Sequence, residues 1–273
     1  MSGHFTMNGG TRRPIRGDHH AIGNIANGRR VDVHNGKTAI KKVSNGGSAF
    51  LHGGDSTIRE VGEGGHVDVF SRYQEVGHPT IGYVGKGGIV VVRYHAEPTI
   101  KKVGAGARVF IYGGNPTIEE VTDGGIVVVR DGKPTIKKVT DGGIVIVHSG
   151  KPTIKKVADG GHVEVRGGNP TIEEVADGGI VVVRYGDPTI KEVGFRGRVW
   201  VYGGSPTIEE VGFGGRVDVR NGDPTIKEIS DGGSVDVRGG SPTIRKVAVR
   251  GIVFRKLRRS RRGSGRRVVS RRA

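Results

Sequence analysis

Paired carboxylates are the residues of this chain that look most able to do chemistry. One such pair is Glu119-Glu120, and neighbouring carboxylates can divide the roles of acid and base when their environments separate their pKa values. In the next copy of the surrounding sequence the same positions hold Lys137-Lys138. Because lysine replaces glutamate there, the pairs are typical of a solvated, salt-bridged surface. We therefore predict no catalytic residue and a protein that is not an enzyme.

The aspartates that precede glycine pairs have the oxygen ligands that a hard cation needs. They recur as Asp123, Asp141, Asp159, Asp177 and Asp231. Phe195 and Phe213 occupy the same position without disturbing the surrounding pattern, and an aspartate before glycine commonly bonds its own turn backbone. We therefore interpret the aspartates as turn residues and predict neither a metal ion nor a cofactor.

These residues belong to an 18-residue repeat with the consensus P-T-I-[KE]-[KE]-V-x-D-G-G-x-V-x-V-R-x-G-x. Regular copies begin at Pro98, Pro116, Pro134, Pro152, Pro170, Pro188, Pro206, Pro224 and Pro242, and less regular ones precede them from His20. One copy is too short to bury a core, whereas stacked copies can bury one together. The repeat predicts a polar, basic N-terminal leader (1–19), a β-repeat domain of about 13 copies (20–257) and an arginine-rich C-terminal tail (258–273).

Each copy contains two short β-prone segments separated by glycine turns, and neither segment has a helical period. In the second segment Val145 and Val147 lie two residues apart, so their side chains point to one side of the strand. In the first segment Ile136 and Val139 lie three residues apart. A flat strand cannot direct both inward, which predicts a bend or bulge at the charged pair between them.

Two all-β architectures fit this repeat. In a parallel β-solenoid each copy is one coil, and equivalent residues 18 positions apart lie roughly 4.8 Å from each other. In an antiparallel β-hairpin meander or propeller each copy is a hairpin, and turn sequences such as RDGK (130–133) favour that alternative.

The charge of the residue after isoleucine favours the solenoid, because opposite charges on adjacent strands are stabilising. Six of its eight neighbouring pairs are opposite in sign: Lys101, Glu119, Lys137, Lys155, Glu173, Lys191, Glu209, Lys227, Arg245. The following residue alternates in only four of eight pairs, which is no better than chance. We predict the parallel β-solenoid and keep the meander or propeller as the alternative.

The formal charge of +17 is concentrated at the carboxyl end. Residues 250–273 hold ten arginines, one lysine and no acid, which gives +11. Arginine suits phosphate because it can bond it in a bidentate manner. We predict binding of nucleic acid or another polyanion through Arg255, Lys256, Arg258, Arg259, Arg261, Arg262, Arg266, Arg267, Arg271 and Arg272.

The second β-segment has outward positions that are apolar in some copies and polar in others. If the flanking valines face the core, the apolar ones form an outer patch, and such patches mark interfaces. We predict a homo-oligomer or a larger protein assembly, with the self-association interface at Ile126, Val128, Ile144, Ile146, Ile180 and Val182. A second outward group is an aromatic surface cluster of Phe195, Trp200, Tyr202 and Phe213, the place where a glycan-binding β-helix would hold its ligand.

These features predict an elongated, non-enzymatic β-repeat protein, an oligomeric component of a larger particle, a phage-tail or other fibre, or a surface attachment structure. The alternatives are a nucleic-acid-associated protein that binds through its tail and, third, a glycan-binding β-helix. The chain has no cysteine, no apolar run long enough to cross a membrane and no apolar signal-peptide core. We expect it in the cytoplasm or in a virion-like or secreted particle.

Overall fold

The structure is a computed structural model that describes residues 15–16, 20–71, 77–104, 106–256 and 266–268. The regular secondary structure of these residues is entirely β. The chain divides into unit 1 (Met1–Lys137 with Gly143–Val145) and unit 2 (Lys138–Gly142 with Ile146–Ala273).

One set of strands comes from the second segment of each copy, and we call the sheet that they form the odd sheet. Its strands are β1 (Ile15–Arg16), β3 (Arg30–His34), β5 (Ser48–His52), β7 (His66–Ser71), β9 (Ile89–Tyr94), β11 (Arg108–Ile111), β13 (Ile126–Val129), β15 (Ile144–Val147), β17 (His162–Val165), β19 (Ile180–Val183), β21 (Arg198–Val201), β23 (Arg216–Val219), β25 (Ser234–Val237), β27 (Ile252–Lys256) and β28 (Arg266–Val268).

The other set comes from the first segment of each copy and forms the even sheet. Its strands are β2 (His20–Ile25), β4 (Thr38–Val43), β6 (Thr57–Val61), β8 (Thr80–Val84), β10 (Thr99–Val103), β12 (Thr117–Val121), β14 (Thr135–Val139), β16 (Thr153–Val157), β18 (Thr171–Val175), β20 (Thr189–Val193), β22 (Thr207–Val211), β24 (Thr225–Ile229) and β26 (Thr243–Val247).

Strands pair in parallel with the equivalent strand of the next copy, as the solenoid prediction requires. In unit 1 Ile100 of β10 pairs with Ile118 of β12, and in unit 2 Ile172 of β18 pairs with Ile190 of β20. Each of these pairs is 18 residues apart in sequence. The chain is therefore an all-β protein and a parallel β-solenoid, and the fold prediction is confirmed.

The even strands place isoleucine and valine inward although the two are three residues apart. Ile100 and Val103 are both fully buried, and so are Ile172 and Val175 in unit 2. The ladder between β10 and β12 pairs Ile100, Lys102 and Val103 with their equivalents and passes over Lys101. This is the bend predicted at the charged pair, and it lets a short strand bury two large side chains.

The Asp-Gly-Gly turn explains why the sequence also suggests hairpins. Asp123 and Gly124 both have positive φ (51° and 73°), and the Gly125 N–H donates to the Thr122 carbonyl at 2.7 Å. Positive φ at both central residues is typical of the tight turn of a β-hairpin. Here the strands before and after the turn belong to different sheets. The antiparallel alternative is therefore wrong for the repeat.

Turn aspartates of both units contact a lysine of the neighbouring coil. Asp123 lies 3.6 Å from the Lys102 Nζ, and Asp177 lies 3.3 Å from the Lys156 Nζ. Aspartate tolerates the left-handed backbone better than most residues with a Cβ. Backbone conformation therefore accounts for its place in the repeat.

Both charge columns of the even sheet form ion pairs, although only one of them alternates in the sequence. In the first column Lys137 pairs with Glu119 at 3.2 Å and Lys227 pairs with Glu209 at 3.0 Å. In the second, Lys42 pairs with Glu60 at 2.7 Å. Exposed pairs of this kind contribute roughly 0–1 kcal/mol each, so the buried aliphatic columns fix the register.

The last parallel strand of the odd sheet is followed by an antiparallel one. β28 pairs with β27 through Phe254 with Val268, Arg255 with Arg267, and Lys256 with Arg266. The outer edge of a sheet offers unpaired backbone groups to other chains. Part of the segment predicted as a tail thus covers this edge of β27 in unit 2.

Candidate functional site

The outer face of the odd sheet is where the coils differ most in chemistry. Each four-residue odd strand directs two valines or isoleucines inward, as Val127 and Val129 of β13 show by being fully buried. The alternate residues point outward. These outer positions form two columns along each unit, and their side chains change from coil to coil.

In unit 1 the outer positions of β9, β11 and β13 are mostly apolar. Register places Ile89, Arg108 and Ile126 in the first column and Val91, Phe110 and Val128 in the second. We call Ile89, Val91, Phe110, Ile126 and Val128 the apolar face. Four of its members are half-buried, and Val91 is 5% exposed because its neighbours shield it. None of the described residues of unit 1 forms a further layer over it.

Cations and a tyrosine border the apolar face. Tyr112 lies between two arginines, with its ring centroid 5.3 Å from the Arg93 guanidinium carbon and 5.9 Å from that of Arg130. Arg108 is exposed in the first column between two isoleucines. The face therefore has an aliphatic centre and a positively charged border.

The residues of the predicted self-association interface do not all offer the same surface. Ile126, Val128, Ile144, Ile146 and Ile180 are half-buried at outer positions of β13, β15 and β19. Val182 is only 6% exposed. It pairs with Glu164 on one side and Trp200 on the other, and these larger side chains shield it.

In unit 2 the second outer column contains carboxylates that are nearly buried. Asp218 accepts a hydrogen bond from the Trp200 Nε1 at 3.1 Å and pairs with Arg216 at 3.2 Å. Asp236 pairs with Arg238 at 2.8 Å. The side chains of both aspartates are only about a tenth exposed. Arginine side chains therefore cover the acids that the sequence pattern places on the surface.

Glu164 of β17 has the strongest electrostatic environment of these acids. It accepts a hydrogen bond from Arg166 at 2.8 Å and is also bonded by Arg184 of the next coil. The hydrogen bond from Arg166, helped by that from Arg184, outweighs burial and lowers the pKa of the Glu164 carboxyl to about 2. This carboxylate is ionised over the physiological pH range and holds two coils together.

Unit 2 also contains a groove of about 530 Å³, which we call the arginine groove. Arg196 reaches it from the turn before β21, and Arg198 and Arg216 from the first positions of β21 and β23. Gly197 and Gly215 also line the groove. The described acid in that lining is Asp177, which is itself paired with a lysine.

Two of the three arginines have no acidic partner inside the described chain. Arg216 pairs with Asp218, whereas no described carboxylate lies within ion-pair distance of Arg196 or Arg198. Arg196 contacts the Phe195 ring, whose centroid is 5.7 Å from its guanidinium carbon. The groove therefore has an unneutralised positive charge.

Arg196 has an unusual backbone for its residue type. Its φ is 58°, in the left-handed region, where the neighbouring coils have Gly178 and Gly214 at the equivalent turn position. A left-handed conformation costs a residue with a Cβ about 1–2 kcal/mol. Strain of this kind at a surface position is a reason to look for a function there.

The predicted aromatic cluster divides into three environments. Phe195 and Phe213 stack with ring centroids 6.3 Å apart and planes 5° from parallel. Trp200 donates its indole N–H to Asp218. Tyr202 lies at the other end of β21, between Arg184 at 5.7 Å and Arg220 at 5.3 Å. Only the two phenylalanines form a shared surface, and that surface adjoins the arginine groove.

The predicted anion-binding tail falls mainly outside the described residues. This applies to Arg258, Arg259, Arg261, Arg262, Arg271 and Arg272. Arg255 is exposed on β27, and the backbones of Lys256, Arg266 and Arg267 belong to the β27–β28 pair. The backbone register sets Arg255 opposite Arg267 and Lys256 opposite Arg266.

Other kinds of site are not evident in the described part of the chain. No three histidine, aspartate or glutamate side chains lie together there as a possible metal site. It also contains no helix with the length and apolar character needed to cross a membrane. Among the histidines of unit 1, His34 stacks on His52 with ring centroids 4.0 Å apart.

Sequence reasoning missed the arginine groove, although one signal for it was present. Arg196 replaces a glycine that the adjacent copies retain. The sequence contains a weaker indication that the acids of the odd sheet are covered. Each of them has an arginine two residues away or in the next coil, as Asp236 has Arg238. Comparison with protein-family models, with curated proteins and with solved structures finds no match to this chain.

Proposed function

We propose that this chain is a non-enzymatic structural protein that assembles with copies of itself into a larger particle, fibre or surface attachment structure. The observation that supports this proposal is the apolar face of unit 1. An aliphatic surface on a parallel sheet gains free energy when a second surface covers it.

A second copy of the chain is the partner that this proposal requires. Sheets can pack face to face about 10 Å apart with interdigitating side chains. The commonest soluble oligomers are two-fold symmetric, and such contacts use the same patch on both subunits. Ile126 and Val128 lie at the edge of the apolar face on β13, within reach of such a contact.

The test is the mass of the full chain by light scattering at low and high salt. We expect an oligomer that persists at high salt, because burial of apolar surface is not screened by ions. The double variant Ile126→Asp with Val128→Asp should reduce the mass to that of one chain.

The matched control is Ser234→Asp on β25. Asp236 already occupies the second outer position there, so this variant creates the same Asp-Val-Asp-Val strand outside the apolar face. The control should leave the oligomer intact. A wild-type chain that is monomeric at high salt, or a control that dissociates the oligomer equally, would contradict the proposal.

A second candidate function is association with nucleic acid or another polyanion through the C-terminal tail. The supporting observation is the charge of +11 over residues 250–273 that the composition gives. Deleting residues 258–273 should then abolish binding, and before deletion log K should fall by roughly 0.7–0.9 per phosphate contact for each unit of log salt. Binding that survives the deletion would contradict a tail-based function.

A further inference from the structure

We propose that the arginine groove of unit 2 binds single-stranded nucleic acid, with phosphates on Arg196 and Arg198 and a base on the Phe195–Phe213 stack. Its arginines and phenylalanines belong neither to the apolar face of unit 1 nor to the C-terminal tail, although Ile180 of the predicted self-association interface also lines the groove. It lies on the turns before β21 and β23 and on the first residues of these strands.

The first argument is the unpaired cationic charge. Arg198 is exposed at the start of β21 and lies beside Arg216 of β23 in register. Neighbouring strands are about 4.8 Å apart, so these two arginines start close together. Only Arg216 has carboxylate partners, Asp218 and Asp236. Arginine forms bidentate hydrogen bonds to phosphate oxygens, and such an anion would relieve this like-charge proximity.

The second argument is the position of Arg196. The backbone there is in the left-handed region that glycine occupies in the coils on either side. The turn therefore has an arginine where its own repeat provides an unstrained alternative. The guanidinium gained by this exchange reaches the groove, which is the result expected when binding rather than stability determines the residue.

The third argument is the phenylalanine stack. Each ring lies across a glycine of the next coil, because a Cβ added to Gly214 would be 2.9 Å from the Phe195 ring, and one added to Gly232 would be 2.5 Å from the Phe213 ring. Phe195 is 51% exposed and Phe213 is 69% exposed. The glycines thus allow two rings to form a surface at the side of the groove.

Together these features favour a single-stranded nucleic acid over other polyanions. Proteins that bind single strands combine a positive groove along the backbone with aromatic rings on which bases stack. Unpaired bases are needed for this, because the bases of a duplex are already stacked on each other. A sulfated polysaccharide would use the arginines but has no aromatic base for the phenylalanines.

The experiment measures binding of a fluorescent single-stranded oligonucleotide to the full chain by anisotropy over a range of salt concentrations. A thymidine oligomer of about 12 nucleotides suits site sizes of roughly 4–16 nucleotides. The groove variant is Arg196→Gly with Arg198→Ser, which introduces the residue types found at these positions in other coils, Gly214 and Ser234.

The matched control is Lys133→Ser with Lys151→Ser. Both control residues are exposed and unpaired within the described chain, and they belong neither to the apolar face nor to the arginine groove. Both double variants lose two charges and retain the tail. We expect the groove variant to weaken binding at least tenfold and to reduce the salt slope by about 1.4, from 0.7 for each of two phosphates. The control should change affinity less than about threefold, since distant charges are screened.

Phe213→Ala tests the stacking surface without changing charge. Loss of one base–aromatic contact should weaken oligonucleotide binding about tenfold and should leave binding of a labelled sulfated polysaccharide unchanged. Circular dichroism melting confirms that each variant is folded, and light scattering records its oligomeric state independently.

Three results would overturn the assignment. The first is absence of oligonucleotide binding by the wild-type chain. The second is equal weakening by the groove and control variants, which would assign binding to total charge. The third is a groove variant that loses the polysaccharide while Phe213→Ala affects neither ligand, which would assign the groove to an anionic polysaccharide.

Discussion

The outer face of the odd sheet has opposite characters in the two units. Around β11 and β13 it presents aliphatic side chains such as Ile126 and Val128, whereas around β21 and β23 it presents Arg198, Trp200 and Arg216. The inward residues of the same strands are all valine or isoleucine and all buried. One scaffold therefore supports two different surfaces, because parallel stacking constrains only the inward half of each strand.

The largest expected difference is between inward and outward isoleucines of one unit. Ile190 of β20 is fully buried, and Ile180 of β19 is a half-buried outer residue. Ile190→Ala should lower the free energy of unfolding by about 2–5 kcal/mol, since it creates a cavity in a packed core. Ile180→Ala should cost roughly 1 kcal/mol or less, because solvent can fill the space. Denaturant unfolding measures both, and equal costs would mean that the outer face is also core.

Exchanging the two surfaces is the next test of the comparison. Arg198→Ile with Trp200→Val converts β21 into the Ile-Val-Val-Val sequence of β13 and β19. We expect stronger self-association by light scattering and about tenfold weaker oligonucleotide binding, because an aliphatic surface replaces a cationic one. Arg216→Ile with Asp218→Val does the same to β23 and should have the same direction. An unchanged mass and affinity would contradict both surface assignments.

Glu164, one of the covered acids of unit 2, predicts a pH effect that the apolar face lacks. The pKa of Glu164 is about 2 in the folded chain against an ordinary value of 4.5, so the unfolded state binds more protons between these values. The ionised Glu164 carboxylate makes its full contribution to the free energy of unfolding above about pH 4.5, and this contribution is lost as the pH falls toward 2. Because its arginine partners are about half exposed, we expect roughly 1 kcal/mol, or about 2–4 °C in Tm.

Glu164→Gln should remove this part of the acid destabilisation, so that its Tm falls less steeply than that of the wild type between pH 4.5 and 2. Glu192→Gln, which neutralises an exposed carboxylate of β20, is the control and should follow the wild-type curve. Parallel curves for the wild type and Glu164→Gln would show that the two arginines do not favour the ionised carboxylate in solution.

The smallest expected effect is a gain of stability from Arg196→Gly. Relief of the left-handed strain is worth about 1–2 kcal/mol, and the greater flexibility of unfolded glycine offsets roughly 0.4–1 kcal/mol of it. The net gain should be about 0.5 kcal/mol by denaturant unfolding. Gly214→Arg, the reverse exchange in the next coil, should destabilise the chain. A loss of stability in Arg196→Gly would mean that the arginine stabilises the turn.

The repeat made the architecture predictable because it specifies the same interior many times. The separation of 18 residues, the inward positions and the bend between Ile136 and Val139 are all visible in the sequence. The Asp-Gly-Gly turn misled, because its backbone is that of a hairpin while its flanking strands enter different sheets. The residues of the turn cannot distinguish a hairpin from a solenoid coil. The burial of the inward isoleucines and valines in both sheets can.

The outer sites were less predictable, because they depend on contacts between coils. The sequence showed Phe195, Phe213 and Arg196 but not that the rings stack or that the arginine reaches the same groove as Arg198. Glu164 lies at an outward position of its strand, where arginines of two coils cover it. Side-chain reach from a neighbouring coil decides such contacts, and residue type alone does not.

The sequence by itself determined the period, the identity of the inward residues and the concentration of positive charge at the carboxyl end. Because the sequence is periodic, every coil buries the same kinds of side chain against its neighbours, and the same packing can repeat along the chain. Only the tertiary structure decided that the strands are parallel, that carboxylates such as Asp236 are covered, and that β28 pairs with β27. These features arise between residues distant in sequence, where the free energy of pairing depends on which surfaces each arrangement buries.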